Sequence, residues 1–291
     1  MRSLNMDKLI IEGKVKLKGE VTVSGAKNSV LPILAATLLT DDACIIKGVP
    51  NLRDTNTMLK ILRSLGKNAE LDKGVVTVHS VKYTNYIADY RLVSTMRASF
   101  CVLGPLLGKL KKAKVSLPGG CIIGVRPVDL HLKGIKALGA DISIESGYVL
   151  AKADRLKGAH MYLGGVYGSS VLATDNVMMA AVFAHGKTII ESAACEPEVM
   201  DLAEFLNKMG AKVKGHGTPI IEIEGVRHLH GATHTIIPDR IEAGTLMIAS
   251  LITHGDITLK NVNFAHLGAV IDKLEEAGVK ITKTNQAMRV C

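Results

Sequence analysis

The chain has 291 residues, more than one compact core usually takes, so two domains are expected. Hydrophobic residues at 47% and charged residues at 22% exclude a disordered chain, and aromatics at 3% with no Trp leave little with which to stack nucleic-acid bases. The formal charge of +9 suits an anionic partner such as a phosphorylated metabolite, and an evenly basic surface explains it equally well.

Five cysteines (Cys44, Cys101, Cys121, Cys195 and Cys291) form no CxxC pair, so neither a disulfide framework nor a zinc site is suggested and a reducing cytoplasm fits. Met1 to Ile11 lacks the apolar core of a signal peptide, and stretches such as Val177 to Ala184 are too short to span a membrane.

In chain order, Met6 to Gly13 reads as the start of a strand, and Glu20 to Val23 as another. Ser24-Gly25-Ala26-Lys27-Asn28-Ser29 joins that strand to the first helix, with Asn28 or Ser29 suited to cap it. Backbone amides at a helix start, together with Lys27, make a natural phosphate or carboxylate site, although the GxxxxGK[ST] spacing of a P-loop is missing. Helices rich in small residues are predicted at Leu31 to Leu39, Met96 to Leu107, Asn176 to Ala184 and Ile241 to Ile252. Each is followed by a β-rich run: Ala43 to Lys47, Ala113 to Leu117, Thr188 to Glu191 and Asp256 to Lys260. An amphipathic helix comes next, shown best by Val199, Leu202, Phe205, Leu206 and Met209 at steps of three and four behind Glu196-Pro197-Glu198. Such helices end on a hydrophobic–Gly step at Gly66, Gly139, Gly210 and Gly278, at intervals of 73, 71 and 68 residues.

Four copies of helix–strand–helix–strand–strand define an α/β chain built on a duplicated unit. If the units pack in closed sets of three, residues 28–237 form one complete domain, and 1–27 with 238–291 form part of a second. The chain ends inside the strand-like run Met288 to Cys291, which reads as incomplete.

Three further features bear on chemistry. Leu117-Pro118-Gly119-Gly120-Cys121-Ile122-Ile123-Gly124-Val125-Arg126-Pro127 has the glycines and prolines of a mobile loop, with an open thiol and an arginine able to hold an anion. A plain surface turn explains the same residues about equally well. Arg97, in Thr95-Met96-Arg97-Ala98-Ser99, sits in a small, apolar stretch and calls for an anionic partner. His216, His228, His230 and His234 lack zinc spacing and read as a solvated hairpin.

Taken in order, SGAKN at Ser24, TMRAS at Thr95, LPGGC with RPVDLH from Leu117 to His131, LKGAH at Leu156, ESAACEPEV from Glu191 and PDRIEAGT from Pro238 resemble the UDP-N-acetylglucosamine 1-carboxyvinyltransferase family, relatives of the shikimate-pathway enolpyruvyl transferase. The resemblance runs from Met6 to the last residue. It implies an inside-out α/β barrel of repeated βαβαββ-like units, and a monomeric cytoplasmic enzyme with no metal and no cofactor. The implied reaction moves the enolpyruvyl group of phosphoenolpyruvate to the 3′-hydroxyl of UDP-N-acetylglucosamine, in peptidoglycan synthesis. Cys121 is the implied acid and nucleophile; a thiol of pKa ~8.5 is still mostly protonated at neutral pH. Lys27, Asn28 and Arg126 would bind phosphoenolpyruvate. Asn28, Arg97, Arg126, Pro127, Val128, Asp129 and Leu130 would bind the UDP-sugar. No nucleic acid or membrane partner is implied. Val166 to Thr174 departs from the family's shorter VSVGAT-like turn, so contacts there are expected only as the region Tyr167 to Ser170. The family's catalytic aspartate would lie beyond Cys291, leaving an inactive, at most sugar-binding fragment as the alternative. Asp239 reads better as a helix N-cap.

Overall fold

The computed structural model describes residue 8 and residues 10–81, 84–119, 127–284 and 287–291. Contacts divide the chain into one unit of Met1–Ser24 with Pro238–Cys291 and a second of Gly25–Ile237. Each has its own aliphatic core, one centred on residues such as Leu34, Leu107, Val177 and Leu206, the other on Met247, Leu259, Ile271 and Met288.

In chain order the elements are β1 (Lys18–Thr22), α1 (Lys27–Ala36), β2 (Cys44–Lys47), α2 (Arg53–Ser64), β3 (Lys67–Asp72), β4 (Val75–Ser80), β5 (Ile87–Ala88) and α3 (Tyr90–Val93). A 3₁₀ segment (Arg97–Val102) leads into α4 (Leu103–Leu110), then β6 (Lys112–Ser116), α5 (Asp129–Ala137), β7 (Asp141–Glu145), β8 (Tyr148–Lys152) and β9 (His160–Tyr162). The chain continues through α6 (Val171–Ala181), β10 (Lys187–Glu191), α7 (Pro197–Lys208), β11 (Lys212–Lys214), β12 (Ile220–Glu224) and β13 (Thr233–Thr235). It finishes with α8 (Arg240–Ile252), β14 (Asp256–Lys260), α9 (Gly268–Glu276), β15 (Ile281–Lys283) and β16 (Ala287–Val290).

Each repeat contributes one four-stranded mixed sheet, and its edge strand comes from just before the repeat's first helix or from another repeat. The orders are β13-β2-β4-β3, β5-β6-β8-β7, β9-β10-β12-β11 and β1-β14-β16-β15. In every sheet the first pair is parallel and the rest antiparallel. Because β13 of the third repeat pairs with β2 of the first, the chain within Gly25–Ile237 returns to its first sheet, and the unit holds three sheets. The helices α1, α4 and α6 share the core of that unit. Ser29 to Ala36 of α1 and Ala173 to Ala181 of α6 are buried throughout, which is why these helices are apolar on every face. The four marker glycines have φ of +95, +88, +99 and +88°, the left-handed turn that ends an α-helix and that a Cβ disfavours.

Several local expectations change. Residues 10–17 form no strand: Ile10 and Ile11 are 87% and 85% exposed and bury against nothing. The helix expected from Met96 opens as 3₁₀, since Pro105 has no N–H to bond the carbonyl of Cys101. The third inner helix starts five residues early, at Val171, because Ser170 caps it by accepting from the amide of Ala173 at 3.3 Å. Asp239 caps α8, accepting from the amides of Ile241 and Glu242 at 2.8 and 3.0 Å. No helix among the described residues is long and apolar enough to cross a membrane.

Candidate functional site

The second repeat supplies most of the site. Asp89 caps the short α3, after which Met96 returns to extended backbone and the chain enters the 3₁₀ segment at Arg97. Arg97 is half-buried, not enclosed as the apolar stretch suggested, and donates from Nη2 to the carbonyl of Pro127 at 3.2 Å. Pro127 leads into α5, where Asp129 places a carboxylate against the positive helix end. Arg97, Pro127, Asp129 and Leu130 line a cavity of about 560 Å³, closed on the other side by residues 165–172. Tyr167 stands 90% exposed at its rim, and the side chain of Leu130 lies where a Cβ on Gly165 would come within 3.3 Å.

His131 lines the same cavity and was not singled out from sequence, although it closes the RPVDLH motif. It is 2% exposed, and Asn176 explains how it is held. The Asn176 carboxamide accepts from the amide of Gly104 at 2.7 Å and donates to the carbonyl of Phe100 and to His131 Nδ1, both at 2.9 Å. Nδ1 therefore accepts and the proton sits on Nε2. Burial, reinforced by the nearby Arg97 charge, lowers the His131 pKa to about 3, so the ring is neutral at physiological pH. Gly104 must be glycine here, since a Cβ would meet the Asn176 carbonyl oxygen at 2.1 Å.

Lys27 and Asn28 open α1 and are not among the described residues lining this cavity. Lys27 pairs with Asp54 at 3.2 Å, and Asn28 is exposed. Neither Asn28 nor Ser29 caps the helix, whose cap is Ala26 with no side-chain bond. Ser29 turns inward instead and donates to Asp201. Asp201 also accepts from the amide of Ile237 at 3.3 Å and from His234 Nε2 at 2.7 Å, while Lys208 donates to His234 Nδ1 at 3.0 Å. His234 is thus a buried structural residue, not part of a solvated hairpin, because β13 inserts it beside Phe205. Val128 sits just before α5, packed against the core. Cys121 and Arg126 lie outside the described residues. No group of three or more His, Cys, Asp or Glu side chains among the described residues could hold a metal ion.

On α6, Asp175 is wholly buried and neither of its carboxyl oxygens has a partner. Burial above all, then Glu198 and Glu196, pushes its pKa well above the usual carboxylate range.

The fold is that of an enolpyruvyl transferase. Solved neighbours include the enolpyruvyl transferase NikO from Streptomyces tendae, at TM-score 0.83 and 22% identity over 94% of this chain and 66% of that one. EPSP synthase from Acinetobacter baumannii matches at TM-score 0.75 and 21% identity, covering 94% of this chain and 64% of that one. The family model for EPSP synthase (3-phosphoshikimate 1-carboxyvinyltransferase) matches residues 11–291. Among curated relatives, UDP-N-acetylglucosamine 1-carboxyvinyltransferase 1 of Caldanaerobacter subterraneus subsp. tengcongensis is 54% identical over 97% of this chain and 67% of its own length. The UDP-N-acetylglucosamine 1-carboxyvinyltransferase of Methylacidiphilum infernorum is 53% identical over 98% of this chain and 68% of its own length. The chain belongs to the UDP-N-acetylglucosamine 1-carboxyvinyltransferase group of the EPSP synthase family, and spans about two thirds of the length of these relatives.

Proposed function

We propose that the chain carries the sugar-nucleotide half of an enolpyruvyl-transfer site, for the reaction of phosphoenolpyruvate with UDP-N-acetylglucosamine that releases phosphate. The observation that carries this reading is the cavity shared by Arg97, Pro127, Asp129 and Leu130, residues of the TMRAS and RPVDLH motifs. Arg97 supplies a fixed cation for the diphosphate, and His131 a neutral N–H donor whose orientation Asn176 sets.

In the reaction, the sugar 3′-hydroxyl oxygen bonds to C2 of phosphoenolpyruvate, its proton passing to a base. The alkene electron pair takes a proton at C3 from the Cys121 thiol, leaving a thiolate. In the second half C3 returns a proton, the C=C bond reforms, and the C2–O bond to phosphate breaks with its electron pair leaving on phosphate. Lys27 and Arg126 neutralise the phosphate and carboxylate as charge shifts between them. Asn28 contacts both substrates, and Val128 sets the backbone beside Pro127. The active unit is read as a cytoplasmic monomer, with residues 28–237 as the domain bearing the cysteine loop.

Calorimetric titration of UDP-N-acetylglucosamine into the full chain tests the sugar half. Arg97→Ala is expected to weaken binding by about tenfold or more, the loss of one charge-assisted contact. Unchanged affinity in that variant would sink the assignment of this cavity. Phosphate release from phosphoenolpyruvate that requires the UDP-sugar, and disappears in Cys121→Ala, tests the chemistry. Sugar binding without release would leave a binding fragment.

A further inference from the structure

The inner helices have two ends. The residues leading into α4 and the first turn of α6 border the cavity just described. The far ends of the same two helices, from Gly108 and from Phe183 onward, border a second hollow of about 800 Å³. The eleven residues of α6 put about 16 Å between the two. That volume is of the size that holds nucleotide-sized ligands.

Its walls are basic. Helix ends attract cations for their own sake, and both lysines of this wall already have partners. Lys111 donates to the carbonyl of Gly108 at 2.6 Å and lies over the Phe183 ring, and Lys109 pairs with Asp41 at 2.9 Å. The lining carboxylate, Glu224, is held by Lys212 at 2.9 Å. Arg155 and Arg227 remain, both exposed into the hollow and neither with a hydrogen-bonding or ionic partner among the described residues. They come from the segments that follow β8 and β12, in successive repeats, so the two arginines reach one hollow from neighbouring sheets. Two arginines thus line one space, with His185 and His228 beside them.

We propose that this hollow is a second anion site, which binds a phosphorylated small molecule through Arg155 and Arg227. Two forked donors on a wall whose lining carboxylate, Glu224, is already paired with Lys212 match adjacent phosphate groups better than a lone carboxylate. The site is separate from the cavity at Arg97 and does not depend on the reaction proposed there.

Inorganic pyrophosphate titrated calorimetrically into the full chain at low ionic strength is the test. The double variant Arg155→Ala/Arg227→Ala, both positions being exposed, is expected to keep its thermal midpoint and weaken pyrophosphate binding at least tenfold. Arg155→Lys/Arg227→Lys should keep part of the affinity, because charge survives and the fork does not. Pyrophosphate can also reach the diphosphate cation proposed at Arg97, so the titration is repeated in an Arg97→Ala background, where the binding that remains should still be lost on adding Arg155→Ala/Arg227→Ala. Raising ionic strength should weaken it in the wild type, as expected for partly exposed charges. The proposal is overturned if the wild-type chain takes up no pyrophosphate, or if the double alanine variant binds it as tightly as wild type.

Discussion

Replacing Asp175 with alanine should make this protein more stable at neutral pH. A buried polar group left without a partner costs about 1–3 kcal/mol, and both Asp175 oxygens are in that position. The ordinary carboxyl value is 3.8, and burial raises the folded one, so between the two values the native state holds a proton that the unfolded chain releases. Against this, the smaller side chain opens a void worth about 0.5–1 kcal/mol, roughly offset by the better helix propensity of alanine. The net expectation is a gain of about 1–3 kcal/mol at pH 7, the cost of the unpartnered carboxyl. The sign with pH follows from the raised folded value. The native protein is favoured below pH 3.8 and penalised progressively as pH climbs above it, so the advantage of Asp175→Ala should shrink on acidification towards pH 4. Urea unfolding of both proteins across that range measures it, and titrations common to both cancel in the difference. A variant less stable than wild type at pH 7, or a difference flat with pH, would refute the reasoning.

Other outcomes follow from single contacts. Asp201→Ala strands the Ser29, His234 and Ile237 donors in the core and should cost about 3–5 kcal/mol in urea unfolding; a loss under about 1 kcal/mol would mean the carboxylate is dispensable. Gly25→Ala drives a Cβ to 1.9 Å from the carbonyl oxygen of Gly48 and should cost about 1–3 kcal/mol through forced backbone movement. Gly139→Ala meets nothing within 4 Å and should cost only its left-handed φ, about 1–2 kcal/mol, so a thermal melt should rank Gly25→Ala as at least equally damaging. The depressed His131 pKa means the unfolded chain binds its proton first, so stability is lost as pH falls from 6.5 towards about 3. His131→Gln should show a shallower loss over that interval when unfolding is compared at pH 7 and pH 4.5.

Much of the architecture was legible because its signals are local. A helix stop needs only a residue that tolerates positive φ, and Gly66, Gly139, Gly210 and Gly278 carry that requirement wherever they occur, so their spacing exposes the repeat. Amphipathic helices such as α7 announce their buried face through residues three and four apart. The parallel edge pairing of β13 with β2, nearly 190 residues apart, has no local mark, because a strand edge accepts any partner of suitable register.

The sites divide in the same way. Arg97 and the RPVDL run drew notice as charge and proline in unusual surroundings, which sequence records directly. His131 carries no mark of its own beyond closing the RPVDLH run; burial makes it neutral, and the amide that orients it, 45 positions away, reaches it only after α5 and α6 pack. Ser29 looked like a cap and proved to be a core donor, since Asp201 arrives from 172 residues along the chain. Sequence by itself determined the repeat, the order of helices and strands within it and the aliphatic character of the core, all consequences of backbone conformation and side-chain periodicity. Tertiary structure alone decided which polar atoms are buried and with whom they bond, because desolvation and hydrogen bonding depend on neighbours that only packing brings within about 3 Å.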